Sequence, residues 1–109
     1  RDVYKRQLRM SSFQILDNQL LAHSDLCWEN HAEFREKCDE LISLGFDEII
    51  LDLTNVTFIF SAYMGTIGQL LGRTAGSGQR LTIRVSENLF WLFEMAGFEK
   101  MINIEVVSA

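Results

Sequence analysis

The sequence predicts an α/β domain in which helices pack on a mixed β-sheet, with the elements in the order ββαβαβαβ. Residues 48–53 (EIILDL) form a near-continuous apolar run, which is typical of a parallel strand buried on both faces. Residues 79–85 alternate apolar and polar side chains, as expected of a strand with one exposed face. Amphipathic helical patterns separate the later strands, which implies right-handed crossovers around the sheet.

A β-hairpin is predicted as the first structural unit. Phe13–Leu16 and residues 19–23 are two short, largely apolar strands. The Asp17-Asn18 dipeptide between them tolerates the backbone geometry of a tight turn. Residues 25–30 then form a loop that can cap the helix after it.

The first helix is predicted over residues 30–44, and Gly45 ends it. Charged residues occupy its outer face, while its inner face carries Phe34, Cys38, Leu41 and Ile42. Cys27 and Cys38 lack the spacing of a redox or zinc motif. We therefore expect Cys38 to be a buried, reduced thiol, which is typical of a cytoplasmic protein.

The last helix is predicted to begin at a Ser86 cap and to end at Gly97. Its core face carries Leu89, Leu92, Phe93 and Ala96. Because these residues occupy the inner face, we expect Trp91 to face outward. A final strand over residues 101–107 completes the sheet.

Charge is distributed unevenly along the 109 residues, whose net charge is −5. The first nine positions hold four of the ten basic residues and one of the fifteen acidic residues, so residues 10–109 carry a net −8. Residues 1–9 show no periodicity, and we expect a disordered extension or an artefact there, with residues 10–109 as a single domain. An acidic domain without a basic stripe does not bind nucleic acid. Membrane insertion is not expected either, because no apolar run approaches the roughly 20 residues that cross a bilayer.

The sequence offers little support for an enzyme. His23 and His31 match no metal-binding spacing, and the chain has neither of the common phosphate-loop motifs, so no metal or cofactor is expected. Ser61 lies outside a G-x-S-x-G elbow. A receiver-like domain with Asp52 as phosphoacceptor is a remaining alternative, but no pair of acids follows the first strand.

The segment 51–71 (LDLTNVTFIFSAYMGTIGQLL) places Ser61 at the start of the middle helix. An apolar stripe predicts this helix: Met64, Ile67, Leu70 and Leu71. Unpaired backbone N–H groups converge at a helix start, so a phosphate on the Ser61 hydroxyl would lie in a favourable field. We therefore regard Ser61 as a candidate phosphorylation site. The alternative is that its hydroxyl only caps the helix.

Four pieces of sequence carry a resemblance to a known family: LDL at 51–53, VTFIFSAYMG at 56–65, GSGQRLTIRVS at 76–86 and LFEMAGFEKMINI at 92–104. Together with the order of elements, they resemble the STAS domain, the fold of bacterial anti-sigma-factor antagonists. In that family, a switch kinase phosphorylates a serine after the turn aspartate, and the unphosphorylated form captures the kinase and frees the sigma factor. Ser61 matches this serine. Phe60 stands where the family usually has Asp, and Ala62-Tyr63 where it usually has Ser/Thr-Gly.

The resemblance implies a non-catalytic module that docks to a kinase-type anti-sigma factor or another regulatory protein. Residues around Ser61 are predicted to form an apolar partner-binding patch, namely Phe60, Ala62, Tyr63 and Met64. Trp28 and Trp91 are further candidates. Alternatively, Phe60 lies in the core and only Tyr63 is exposed, and Trp28 only covers an edge. The second functional hypothesis is a degenerate STAS scaffold or assembly subunit without a phospho-switch, and the third is a receiver-like or nucleotide-binding domain.

Overall fold

The computed structural model describes residues 12–108, which contain five strands and three α-helices in the predicted order ββαβαβαβ. The strands are β1 (Phe13–Leu16), β2 (Gln19–Ala22), β3 (Glu48–Leu53), β4 (Arg80–Ser86) and β5 (Asn103–Val107). The helices are α1 (His31–Ser43), α2 (Ala62–Ser77) and α3 (Glu87–Met95), and short 3-10 turns cover Trp28–Asn30 and Phe98–Lys100. The predicted α/β class is confirmed. The expectation for residues 1–9 concerns positions outside the described residues.

The five strands form one sheet in the order β1-β2-β3-β4-β5. Strands β1 and β2 are an antiparallel hairpin, and all other neighbouring pairs are parallel. Asp17 adopts a positive φ of 54° in the hairpin turn, as the Asp-Asn dipeptide predicted. The register aligns one apolar row across the whole sheet, formed by Ile15, Leu20, Leu51, Ile83 and Ile104.

One face of the sheet carries the core. Alternate residues of β3 and β4 are buried and join buried residues of all three helices: Ile49, Leu51, Leu53, Leu81, Ile83 and Val85 meet Phe34, Leu41, Ile67, Leu70 and Phe93. Cys38 lies in this core as predicted, and burial raises the pKa of its thiol to about 12. The expectation that β3 is buried on both faces is wrong, because Glu48, Ile50 and Asp52 on its other face are only half-buried.

The opposite face of the sheet is held together by Arg84. Its guanidinium lies 2.9 Å from a Glu105 oxygen and 3.6 Å from an Asp52 oxygen, and it donates to Gln19 Oε1 at 3.1 Å. The hydrogen bond to Glu105 is the main reason that the pKa of Arg84 is raised. These contacts join four strands, and they use Asp52 as a structural ion-pair partner.

The Gly-rich stretch after the middle helix is the end of that helix. Gly76 and Ser77 belong to α2, and Gly78 ends it with a left-handed φ of 76°.

This helix end supplies a stability prediction. Gly78→Ala should lower the free energy of unfolding by about 1–2 kcal/mol, because a Cβ is strained in the left-handed region. Gly76→Ala is the matched control, since Gly76 is helical with open space at its Cβ position, and it should stabilise the protein by up to about 1 kcal/mol. Urea denaturation of the two variants measures the difference. Equal effects would contradict the assigned helix end.

Candidate functional site

The segment between β3 and α2 is fixed to the loop before α1. Leu26 donates its N–H to the Phe58 carbonyl at 3.0 Å, and Phe60 donates its N–H to the Leu26 carbonyl at 2.7 Å. These bonds form a parallel bridge between Leu26 and Ile59, both of which are buried. Side chains alternate along an extended chain, so Phe58 and Phe60 point away from Ile59 and are exposed.

Asp25 binds the N-terminal part of the segment between β3 and α2. Its carboxylate accepts hydrogen bonds from the Thr57 N–H at 2.7 Å and from the Phe58 N–H at 3.2 Å. The Thr57 hydroxyl lies 3.0 Å from each carboxylate oxygen. The Asp25 carboxylate therefore fixes the backbone at Thr57 and Phe58, where the exposed part of the segment begins.

Asp25→Ala should consequently lower the free energy of unfolding by about 2 kcal/mol, because charge-assisted hydrogen bonds are stronger than neutral ones. Amide hydrogen exchange at residues 57–60 should accelerate more than exchange in β4. Mass spectrometry of the exchanged peptides measures this. Uniform acceleration across the sheet would show that Asp25 acts on global stability alone.

Tyr63 anchors the start of α2, and its predicted exposure is wrong. The side chain is fully buried, and its ring contacts the rings of Phe34 and His31. Its hydroxyl donates to the Cys27 carbonyl at 2.7 Å and also contacts Asn30 Oδ1. Burial is the main cause of the raised pKa of Tyr63, so the hydroxyl stays protonated. Tyr63 thus ties the helix start to the loop that carries Trp28, and it takes no part in an exposed patch.

Ser61 lies immediately before α2 with helical dihedral angles (φ −55°, ψ −31°). Its side chain is exposed and makes no capping hydrogen bond. The alternative that Ser61 only caps the helix is therefore wrong. Its carbonyl accepts the Met64 N–H at 3.0 Å, which fixes the backbone while leaving the hydroxyl accessible.

Exposed aromatic side chains accompany Ser61. We define the Ser61 surface as Trp28, Phe58, Phe60, Ser61 and Ala62; its three aromatic residues are 70%, 53% and 39% exposed, respectively. The alternative that places Phe60 in the core is wrong. Phe58 is a member that the sequence analysis missed, although its two-residue spacing from Phe60 is the signal of a shared face in an extended segment.

Met64 and Trp91 are the other two residues that were predicted to bind a partner. Met64 is half-buried and packs against the core. Trp91 is 54% exposed on α3, as predicted, and α3 packs on β4 and β5. Phe60 and Ala62 adjoin Ser61 in the chain, and Trp28 lies in the loop that is hydrogen-bonded to this segment through Leu26 and Tyr63.

The charged groups around Ser61 disfavour an added negative charge on its side chain. No lysine or arginine occurs in the sequence between Lys37 and Arg73. Burial is the largest cause of the raised pKa of Tyr63, and the smaller causes are its neighbours Cys27, Glu33 and Glu29. Acidic groups therefore lie close to the helix start. A phosphate on Ser61 would lie at the start of α2, where the Tyr63 and Met64 N–H groups already bond the Phe60 and Ser61 carbonyls, and residues 38–72 supply no lysine or arginine to it.

The histidines have local partners. His23 Nε2 lies 2.9 Å from Gln14 Oε1, and His31 Nε2 lies 2.7 Å from Thr66 Oγ1. Within residues 12–108, no group of three or more His, Cys, Asp or Glu side chains is arranged to hold a metal ion. The same residues include no helix that is long and apolar enough to span a bilayer.

Comparisons with known proteins place the fold. No protein-family model matches the sequence, and no curated protein is significantly similar to it in sequence. The structure is similar to the crystal structure of TM1081 from Thermotoga maritima, which is described as an anti-sigma factor antagonist: the TM-score is 0.72 at 21% identity, with 85% of this chain and 83% of that chain covered. For the NMR structure of TM1081 the TM-score is 0.68 at 22% identity, with 91% and 82% covered. The chain therefore has a STAS-like fold.

Proposed function

We propose that this protein is a non-catalytic regulatory module of the anti-anti-sigma type, which docks to a kinase-type anti-sigma factor through the Ser61 surface. Phosphorylation of Ser61 would release the partner. The observation that carries the proposal is the exposed, uncapped Ser61 hydroxyl beside the exposed Phe60 ring. The fold shared with TM1081, described as an anti-sigma factor antagonist, supports the same class of role.

The Ser61 surface has the properties of a docking site. Exposed aromatic side chains supply large apolar contact areas and are enriched among the residues that dominate binding energies. Hydrogen bonds of Asp25, Leu26 and Tyr63 hold the backbone of this surface by joining the segment 57–63 to the loop before α1. Little conformational entropy is then lost on binding, because the surface is ordered before the partner arrives.

Phosphorylation would act on this surface through charge alone. A phosphoserine carries about −1.5 to −2 charges at pH 7. Desolvating that charge in an apolar interface is costly unless a cation meets it, and the nearby charged groups of this chain are acidic. The release of the partner therefore requires no change of fold.

A STAS scaffold without a phospho-switch is the second candidate. The observation in its favour is Phe60, which stands where the resembling family usually carries Asp. A scaffold would use the same aromatic surface, but its binding would not respond to ATP. Phosphorylation of Ser61 is therefore the property that separates the two candidates.

Docking can be tested with a purified kinase of the anti-sigma type. Isothermal titration without ATP should detect a complex, and Phe60→Ser should weaken it at least tenfold, as expected for an aromatic anchor. Phe46→Ser is a matched control, because Phe46 is 40% exposed and precedes β3, whereas Phe60 is 39% exposed and follows that strand. Trp91→Ser tests whether α3 contributes. Equal losses for Phe60→Ser and Phe46→Ser would overturn the assignment of the Ser61 surface.

A further inference from the structure

A cavity of about 100 Å³ lies between α1 and α2, away from the aromatic side chains of the Ser61 surface. Its floor includes the buried side chains Cys38 and Leu70. The polar part of its lining consists of Arg35 and Asp39 from α1 and of Thr66, Gln69 and Arg73 from α2. Two guanidinium groups from different helices therefore border one small cavity in an otherwise acidic chain.

The hydrogen-bonding capacity of this lining is only partly used. Arg73 is ion-paired with Asp39. The Thr66 hydroxyl is occupied by the Ala62 carbonyl and the His31 ring. Arg35 and the Gln69 amide make no side-chain hydrogen bond or ion pair with any of residues 12–108. The unused groups are thus a guanidinium with several N–H donors and an amide that also donates.

We propose that this cavity binds a small oxyanion of the phosphate class, held by Arg35, Arg73 and the Gln69 amide. The volume of about 100 Å³ exceeds the roughly 10–15 Å³ that a single water needs, which leaves room for a small tetrahedral anion. Guanidinium groups bind phosphate oxygens through paired N–H donors, a geometry that a lysine does not offer. The proposal does not depend on the docking role of Ser61, because none of its residues belongs to the Ser61 surface.

Asp39 sets the strength of this site. Its carboxylate already pairs with Arg73, so an incoming anion competes with Asp39 for the same guanidinium and is repelled by it. Removing the Asp39 charge should therefore tighten anion binding, whereas removing Arg35 should weaken it. The signs alone also follow from the two changes of net charge, so the size of the Arg35 effect is compared with that of an arginine outside the cavity.

The test is a ¹H–¹⁵N NMR titration of the protein with inorganic phosphate, with sodium chloride adjusted to hold the ionic strength constant. Saturable shifts should be confined to amides of residues 35–39 and 66–73 and to the Arg35 side chain. Arg35→Gln should weaken binding about tenfold, as expected for the loss of a charge-assisted hydrogen bond, and Asp39→Asn should strengthen it several-fold.

Arg80→Gln is the matched control, because Arg80 is exposed and does not line this cavity. Its phosphate affinity should equal that of the unmodified protein. The proposal is overturned if the shifts fail to saturate, if Arg35→Gln binds phosphate as tightly as the parent, or if Asp39→Asn weakens binding.

Discussion

Tyr63→Ala is expected to lower the free energy of unfolding by about 3–5 kcal/mol, the range for deleting a large aromatic side chain from a core. Tyr63 is fully buried and contacts the rings of Phe34 and His31, so its removal leaves a cavity beneath the start of α2. Tyr63→Phe keeps the ring and removes the hydroxyl bonded to the Cys27 carbonyl. It should cost about 0.5–1.5 kcal/mol, the net contribution of one hydrogen bond, because the Cys27 carbonyl keeps the Asn30 N–H as a partner.

Urea denaturation followed by circular dichroism measures both losses. Phe58→Ala is the control, because Phe58 is 53% exposed and should change the stability by no more than about 0.5 kcal/mol. If Phe58→Ala were the more destabilising change, the assignment of Tyr63 to the core and of Phe58 to the surface would be reversed. Should Tyr63→Ala fail to fold, Tyr63→Phe still reports on the hydroxyl contact.

A negative charge at Ser61 is expected to weaken partner binding about 100-fold. Truncating or mispairing a charge in a buried interface costs roughly 2–5 kcal/mol, and no cation from the chain between Lys37 and Arg73 is available to offset it. Ser61→Asp should show most of this loss. Ser61→Ala, which stays uncharged, should bind within about threefold of the parent.

Isothermal titration with the kinase measures this effect on the dissociation constant of the complex. Ser108→Asp is a suitable charge control, since Ser108 is exposed and follows β5, and its added charge should leave the affinity nearly unchanged. Equal binding by Ser61→Asp and Ser61→Ala would mean that the partner does not cover Ser61.

Local patterns in the sequence were sufficient for the order of elements. Apolar runs, periodic apolar spacing and turn or cap residues predicted the five strands and three α-helices of residues 12–108, with ends displaced by one or two positions. The strand predicted at 79–85 spans Arg80–Ser86, for example, and the last strand begins at Asn103.

The candidate site was harder to predict because tertiary contacts decide it. Tyr63 lies on the same helical stripe as Ile67, Leu70 and Thr74, all buried, and this spacing was a usable signal for a core position. By contrast, Asp25 binds backbone groups of Thr57 and Phe58 more than thirty residues away. No local pattern predicts a contact of that separation, so the support beneath the Ser61 surface became visible only in the structure.

The most direct test is the intact mass of the protein after incubation with a purified anti-sigma-type kinase and ATP, compared with that of Ser61→Ala. The account predicts that the parent protein gains one phosphate group, that Ser61→Ala gains none, and that the modified protein leaves the complex. A protein that binds the kinase but gains no phosphate at Ser61 would contradict the switch and identify a constitutive scaffold.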